Sequence, residues 1–155
     1  LKKVFLYVFV GMLSLSIGVA YQIYSQTDFS TLEGKSYTFK ELQGKWLVIN
    51  YFAEWCAPCL REIPELNEFH HTMQEQGDVV LFGVSYDAIQ DHELSLLAEK
   101  YDIQFPLINE LDTAMPFDPP KYLPATYLIR PDGTLAGQLL GEQSQQSLLE
   151  AIQAK

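Results

Sequence analysis

The sequence predicts an α/β sandwich built around a mixed sheet. Three observations carry that prediction. From Trp46 onward, short apolar runs alternate with segments of helical spacing. Later, Pro131-Asp132-Gly133 separates two strand-like runs, which makes an antiparallel pair. A last segment with Leu148, Leu149 and Ile152 at helical spacing then follows.

Composition bounds the answer. The 155 residues amount to about one domain. Hydrophobic residues make up 48% and charged residues 19%, enough apolar content for a core, so wholesale disorder is excluded. Two cysteines exclude a disulfide-stapled scaffold and a four-cysteine zinc site. A formal charge of −10 argues against a nucleic-acid partner, because phosphate binding needs an excess of Lys and Arg.

The charge is uneven. Residues 1–25 hold Lys2 and Lys3 and no Asp or Glu, whereas residues 26–155 carry 8 basic and 20 acidic groups. Val4 to Tyr24 is an apolar run in which only Ser14, Ser16 and Gln22 are plainly polar. About 20 apolar residues span a bilayer core as a helix. Tyr21 and Tyr24 stand where interfacial aromatics would stand. The chain therefore divides into an N-terminal transmembrane signal anchor, residues 1–25, and a folded domain, residues 26–155. Gly18-Val19-Ala20 offers a small-residue cleavage site, but the run exceeds a signal-peptide core, so a retained anchor is expected, N-terminus inside.

The elements of the domain follow in order. Phe29 to Phe39 reads as a hairpin around Glu33-Gly34-Lys35. Trp46–Phe52 is nearly continuous apolar sequence, as in a strand covered on both faces. Pro58 to about Gln76 reads as a helix stopped by Gly77 and kinked at Pro64. Val79–Val84 is a second buried strand, Asp91–Tyr101 a helix, and Phe105–Ile108 a third strand. Asn109–Tyr122, with three prolines, reads as irregular. Ala125–Arg130 and Thr134–Leu140 form the hairpin, and Ser144 caps the last helix.

The chemistry sits in Ala53-Glu54-Trp55-Cys56-Ala57-Pro58-Cys59, where a strand ends and two cysteines open the next helix. Unpaired N–H groups and the helix dipole stabilise an anion there. Cys56 should therefore have a lowered pKa, and the thiolate is the nucleophile. Cys59, one turn on, can attack a mixed disulfide on Cys56 and release the partner. Pro58 is tolerated because first-turn N–H groups lack partners anyway. Two blander readings compete. One is a zinc site completed by His70 and His71, but adjacent helix residues point about 100° apart and the spacing is not that of a finger. The other is an inert structural pair. Trp46 reads as core and His92 as a surface residue. Tyr86, Met115 and Tyr122 are candidates for a partner groove.

The chain resembles the thioredoxin superfamily, specifically its membrane-anchored, extracytoplasmic TlpA/ResA-like thiol–disulfide oxidoreductases. The resemblance runs from about Asp28 to Gly141. It rests on Leu32-Glu33-Gly34-Lys35, on Trp55-Cys56-Ala57-Pro58-Cys59 through Pro64-Glu65-Leu66, on Gly83-Val84-Ser85-Tyr86-Asp87, and on Leu123-Pro124-Ala125-Thr126 through Pro131-Asp132-Gly133. It implies a thioredoxin-like three-layer sandwich with a mixed central sheet, an N-terminal hairpin and an extra βα insert. It implies Cys56 as attacking thiol, Cys59 as resolving thiol and Pro124 as a cis-proline facing the disulfide. The Leu123 backbone would pair with a bound partner chain, and Trp55, Ala57 and Pro58 would border it. Glu62 matches an acidic position that tunes proton transfer; the alternative is a solvated helix carboxylate. Asn50 departs from simple thioredoxins, which bury an acid there, and leaves Glu62 as the candidate base.

The leading functional expectation is an enzyme that reduces disulfides in extracytoplasmic partner proteins, such as apocytochromes awaiting haem. It would face the periplasm or cell exterior from the cytoplasmic membrane and be re-reduced by a transmembrane thiol carrier. No organic cofactor or metal is called for, since the electrons reside on Cys56 and Cys59. The rivals are a disulfide donor, an anchored non-catalytic binding module, and a peroxidase on the related peroxiredoxin fold. The last would place a lone cysteine in a Thr-rich stretch where Ala53-Glu54-Trp55 stands.

Overall fold

The computed structural model describes residues 27–155 together with Tyr7, Gly11 and Met12. The anchor expected over residues 1–25, those three apart, and the boundary at residue 25 therefore lie outside the described residues. Among the described residues, no helix is long and apolar enough to cross a membrane.

From residue 27 on, seven strands and three helices follow one another: β1 (Phe29–Thr31), β2 (Ser36–Tyr37), β3 (Trp46–Phe52), α1 (Ala57–Gln76), β4 (Val79–Ser85), α2 (Asp91–Lys100), β5 (Leu107–Leu111), β6 (Ala125–Ile129), β7 (Leu135–Leu140) and α3 (Gln145–Gln153). The strands form one sheet in the order β2-β1-β5-β4-β3-β6-β7. β3, β4 and β5 are parallel, joined through α1 and α2. β6 and β7 run antiparallel beside β3, and β1 and β2 are antiparallel at the far edge. The mixed sheet and the two hairpins are as the sequence predicts.

The central strand shows why its sequence is nearly all apolar. Val48 and Phe52 point into one core with Leu66 and Phe69 of α1, Leu94 of α2 and Leu148 of α3. Leu47, Ile49 and Tyr51 point into a second core on the opposite face. Among the described residues, no helix contributes to that second core. Tyr37, Phe39, Leu42, Met115, Phe117 and Leu123 cover it instead. In the segment carrying Met115 and Phe117, Pro116, Pro119 and Pro120 remove donors that a helix would need.

Caps fix the helix ends. Gly77 takes φ 80° and returns its N–H to Met73 O at 2.9 Å, ending α1. Ser144 caps α3 as expected, accepting from Ser147 N. α1 runs through Pro64 as one helix. Its buried Asn67 secures the turn after α2, donating from Nδ2 to Asp102 O at 2.7 Å and accepting Gln104 N–H at 2.9 Å.

One strand differs from the sequence expectation. The third parallel strand spans Leu107–Leu111, not Phe105–Ile108, and takes in residues expected to be irregular. Pro106 has no N–H to give a ladder, so the strand begins after it, while the Pro106 carbonyl still accepts Gly83 N–H at 2.9 Å. Glu110 and Leu111 are held by β1, where they pair with Ser30 and Phe29.

Phe105 is core rather than strand, and it explains Gly83. A Cβ at Gly83 would lie 2.5 Å from Leu107 Cδ2 and 2.8 Å from Phe105 Cε2. Both neighbours are locked in the core. Gly83→Ala should therefore destabilise the fold by about 1–3 kcal/mol, the usual cost of overpacking. Urea unfolding of the variant checks this, and an unchanged midpoint would contradict it.

Candidate active site

β3 delivers the chain to the site. After Phe52 a tight turn returns Cys56 N–H to Ala53 O at 3.1 Å. Cys56 is the N-cap of α1, and its Sγ accepts Cys59 N–H at 3.3 Å. Cys56 and Cys59 are joined in a disulfide with Cα atoms 5.3 Å apart. No acidic residue lies in the first turn of α1. Both sulfurs are shielded, Cys56 at 4% exposure and Cys59 at 0%. The sulfur atoms are thus bonded to each other, and among the described residues no cluster of His, Cys, Asp or Glu is arranged to hold a metal. His92 is exposed, as expected, and Trp46 is half-buried against the helix-side core.

Glu62 is the unusual group. It lies one turn beyond Cys59, on the apolar stripe with Ile63 and Leu66, and is only 2% exposed. The reading of Glu62 as a solvated carboxylate is therefore excluded. Its Oε1 accepts from Asn50 Nδ2 at 2.8 Å and its Oε2 from Gln143 N at 2.8 Å. Asn50 Nδ2 also reaches Thr126 Oγ1 at 3.1 Å, across the β3–β6 pair. Burial pushes the Glu62 carboxyl up to about 7, against the two hydrogen bonds, which favour the charged form. Asn50, standing where an acid was the alternative, is thus a donor to the acid that sits on the helix.

The other predicted residues gather at the same end of the sheet. Ala125 pairs with Tyr51, which places Pro124 beside the end of β3. The Leu123–Pro124 bond is cis, Pro124 is buried, and its carbonyl accepts Gly141 N–H at 3.0 Å. Leu123 is half-buried, Pro58 is half-buried and Ala57 is exposed. Trp55 is 66% exposed. Its Nε1 donates to Asp87 Oδ2 at 2.7 Å, and its ring meets Tyr86 edge-on at 6.2 Å. Tyr122 is also exposed, while Met115 packs on the second core. Sequence reasoning missed Gln143 and Thr126. Gln143 acts through its backbone N–H, which no residue type announces.

Comparison with known proteins agrees with this site. The family model described as AhpC/TSA family matches residues 22–138. The chain is 31% identical over 123 residues to the thiol–disulfide oxidoreductase ResA of Bacillus cereus, covering 76% of this chain and 67% of that protein. The Bacillus subtilis ResA is 27% identical over 115 residues, covering 72% of this chain and 62% of that protein. The crystal structure of StoA from Bacillus subtilis shares the fold, with a TM-score of 0.63, 18% identity, and 80% and 93% of the two chains covered. The chain belongs to the AhpC/TSA family. With its own Cys56–Cys59 disulfide at the helix start, it is an enzyme of the thiol–disulfide oxidoreductase type.

Glu62 also makes stability depend on pH in a defined direction. Its carboxyl titrates near 7 in the fold and at 4.5 ordinarily, so the folded state holds a proton that the unfolded state has lost between those values. Its contribution to stability is therefore full below about 4.5, falls as pH rises toward about 7, and is level above. The loss is on the order of 3 kcal/mol. Oxidised wild type and Glu62→Gln, unfolded in urea across that range, should differ in slope, the variant being flatter. Parallel profiles would contradict the buried carboxyl.

Proposed function

We propose that the chain reduces disulfides in partner proteins outside the cytoplasm, held at the membrane by residues 1–25. Apocytochromes awaiting haem are one such class of partner. The location is supported by the apolar, Lys-led sequence of those residues alone. The direction is supported by one observation: a buried carboxyl one turn beyond Cys59. When ionised, Glu62 places a negative charge near the dithiol and disfavours its thiolates. A thiol pair that ionises reluctantly gives up its electrons more readily on forming a disulfide.

The steps balance as follows. The Cys56 thiolate attacks one sulfur of the partner disulfide. The Cys56–partner bond forms, the partner's own S–S bond breaks, and its second sulfur leaves as a thiolate. Glu62 takes the proton of Cys59. The Cys59 thiolate then attacks Cys56 Sγ, closes the disulfide and releases the partner's first sulfur. Two electrons pass to the partner, and a transmembrane thiol carrier returns the pair to its reduced form. The Leu123 backbone beside Pro124 would pair with the partner chain, with Trp55, Ala57 and Pro58 around it.

A second reading, a disulfide donor, draws on the position of Cys56. A sulfur capping a helix is stabilised as thiolate, which favours the reduced pair and makes its disulfide oxidising. The two effects oppose each other within the first two turns of one helix.

Insulin reduction by dithiothreitol-charged protein tests the exchange. Cys56→Ala should abolish it, and Cys59→Ser should accumulate partner mixed disulfides through Cys56. Full activity in Cys56→Ala would overturn Cys56 as the attacking thiol, and no activity in the wild type would leave a binding module.

A further inference from the structure

An open groove beside the cysteines plays no part in the exchange steps. It is lined by Glu54 and Trp55 from the turn before Cys56, Ser85 and Asp87 at the end of β4, and Ile89 and Leu97. Its volume is about 320 Å³. Ile89 and Leu97 are half-buried apolar walls. The Trp55 ring is exposed yet fixed, by its bond to Asp87 and by Tyr86.

The groove is acidic. Among the described residues the ion pairs are Arg61–Glu142 and Lys100–Glu54, so Asp87 has only the neutral indole as side-chain donor. Asp91 opens α2 nearby, its carboxylate accepting from Asn109 Nδ2 at 3.0 Å. Lys100 is the single basic residue between Arg61 and Lys121, a stretch with 13 acidic ones.

We propose that this groove is a subsite for an Arg or Lys side chain that the partner polypeptide carries close to its reactive cysteine. The inference rests on the exchange reading. Trp55 precedes Cys56 in the chain, so a partner cysteine bonded to Cys56 brings its neighbouring residues to the groove. The methylene stem packs on Ile89 and Leu97, as long basic side chains do on apolar surface. The cationic head meets the Trp55 face and the Asp87 carboxylate. An apolar side chain would cover Asp87 and leave its carboxylate shut off from water with the neutral indole as its side-chain donor. An acidic one meets Asp87 and Glu54 of like sign.

The test uses two synthetic peptides, identical except for Arg or Gln on both sides of one cysteine. Each cysteine is held as a mixed disulfide with 5-thio-2-nitrobenzoate. The reduced full chain attacks the peptide sulfur through Cys56, the coloured thiolate leaves, and Cys59 then closes the disulfide and frees the peptide thiol. Each rate is divided by that of the same peptide with 2-mercaptoethanol, which removes intrinsic reactivity. The readout is the Arg-to-Gln ratio within each protein, so a general loss of reactivity cancels.

At low salt the wild-type ratio should be about fivefold, and high salt should shrink it. Asp87→Asn, which keeps an acceptor for the indole, should bring the ratio close to one. Glu54→Gln, which releases Lys100 as an uncompensated cation, should lower it as well. Glu150→Gln, an exposed carboxylate on α3, should leave the wild-type ratio in place. A wild-type ratio near one with measurable exchange overturns the subsite. So does an equal fall in Asp87→Asn and Glu150→Gln, which would assign the preference to overall charge. No exchange with either peptide overturns the exchange reading itself.

Discussion

The hydrogen bond from Asn50 Nδ2 to Glu62 Oε1 ties together everything the site needs. Asn50 belongs to the central strand, Glu62 to the helix that carries the cysteines, and the second carboxylate oxygen holds the backbone entering α3. Thr126 completes the set from β6, next to the cis-proline. A carboxyl this deep survives because both its oxygens have donors, and an unpaired one would have a large desolvation cost. Strand β3, strand β6, helix α1 and the start of α3 are thus joined through one buried carboxyl and its partners.

Two opposed fields meet at the cysteines. The helix start draws charge onto Cys56, and its sulfur accepts a backbone N–H at 3.3 Å. Glu62 answers with its own charge once deprotonated, one turn along the same helix. Because burial brings its pKa to about 7, the opposition is set by ambient pH near neutrality. Outside this balance lies an exposed surface. Trp55 and Tyr86 stand there with carboxylates around them, while the two cysteines are shielded.

Much of this was legible in the sequence, for reasons that are physical. A strand buried on both faces must be nearly all apolar, which marks Trp46–Phe52, with Asn50 its one buried amide. Gly77 and Ser144 end and begin helices because their backbone and side chain suit those caps. The cysteine pair was readable because its chemistry depends on local sequence spacing. The start of β5 was not, because tertiary pairing with β1 decided it, although Pro106 was a signal for the boundary. The burial of Glu62 had a signal too, since it occupies the apolar stripe of α1. Its acceptance of the Gln143 N–H had none, because that contact depends on how α3 enters, not on which side chain stands there.

The reduction potential of the Cys56–Cys59 couple, measured on the full chain against a glutathione buffer at neutral pH, tests the central claim most directly. The account predicts a value near that of thioredoxin, about −270 mV, because the buried carboxyl outweighs the helix start. A value nearer about −120 mV would contradict it and make the protein a disulfide donor.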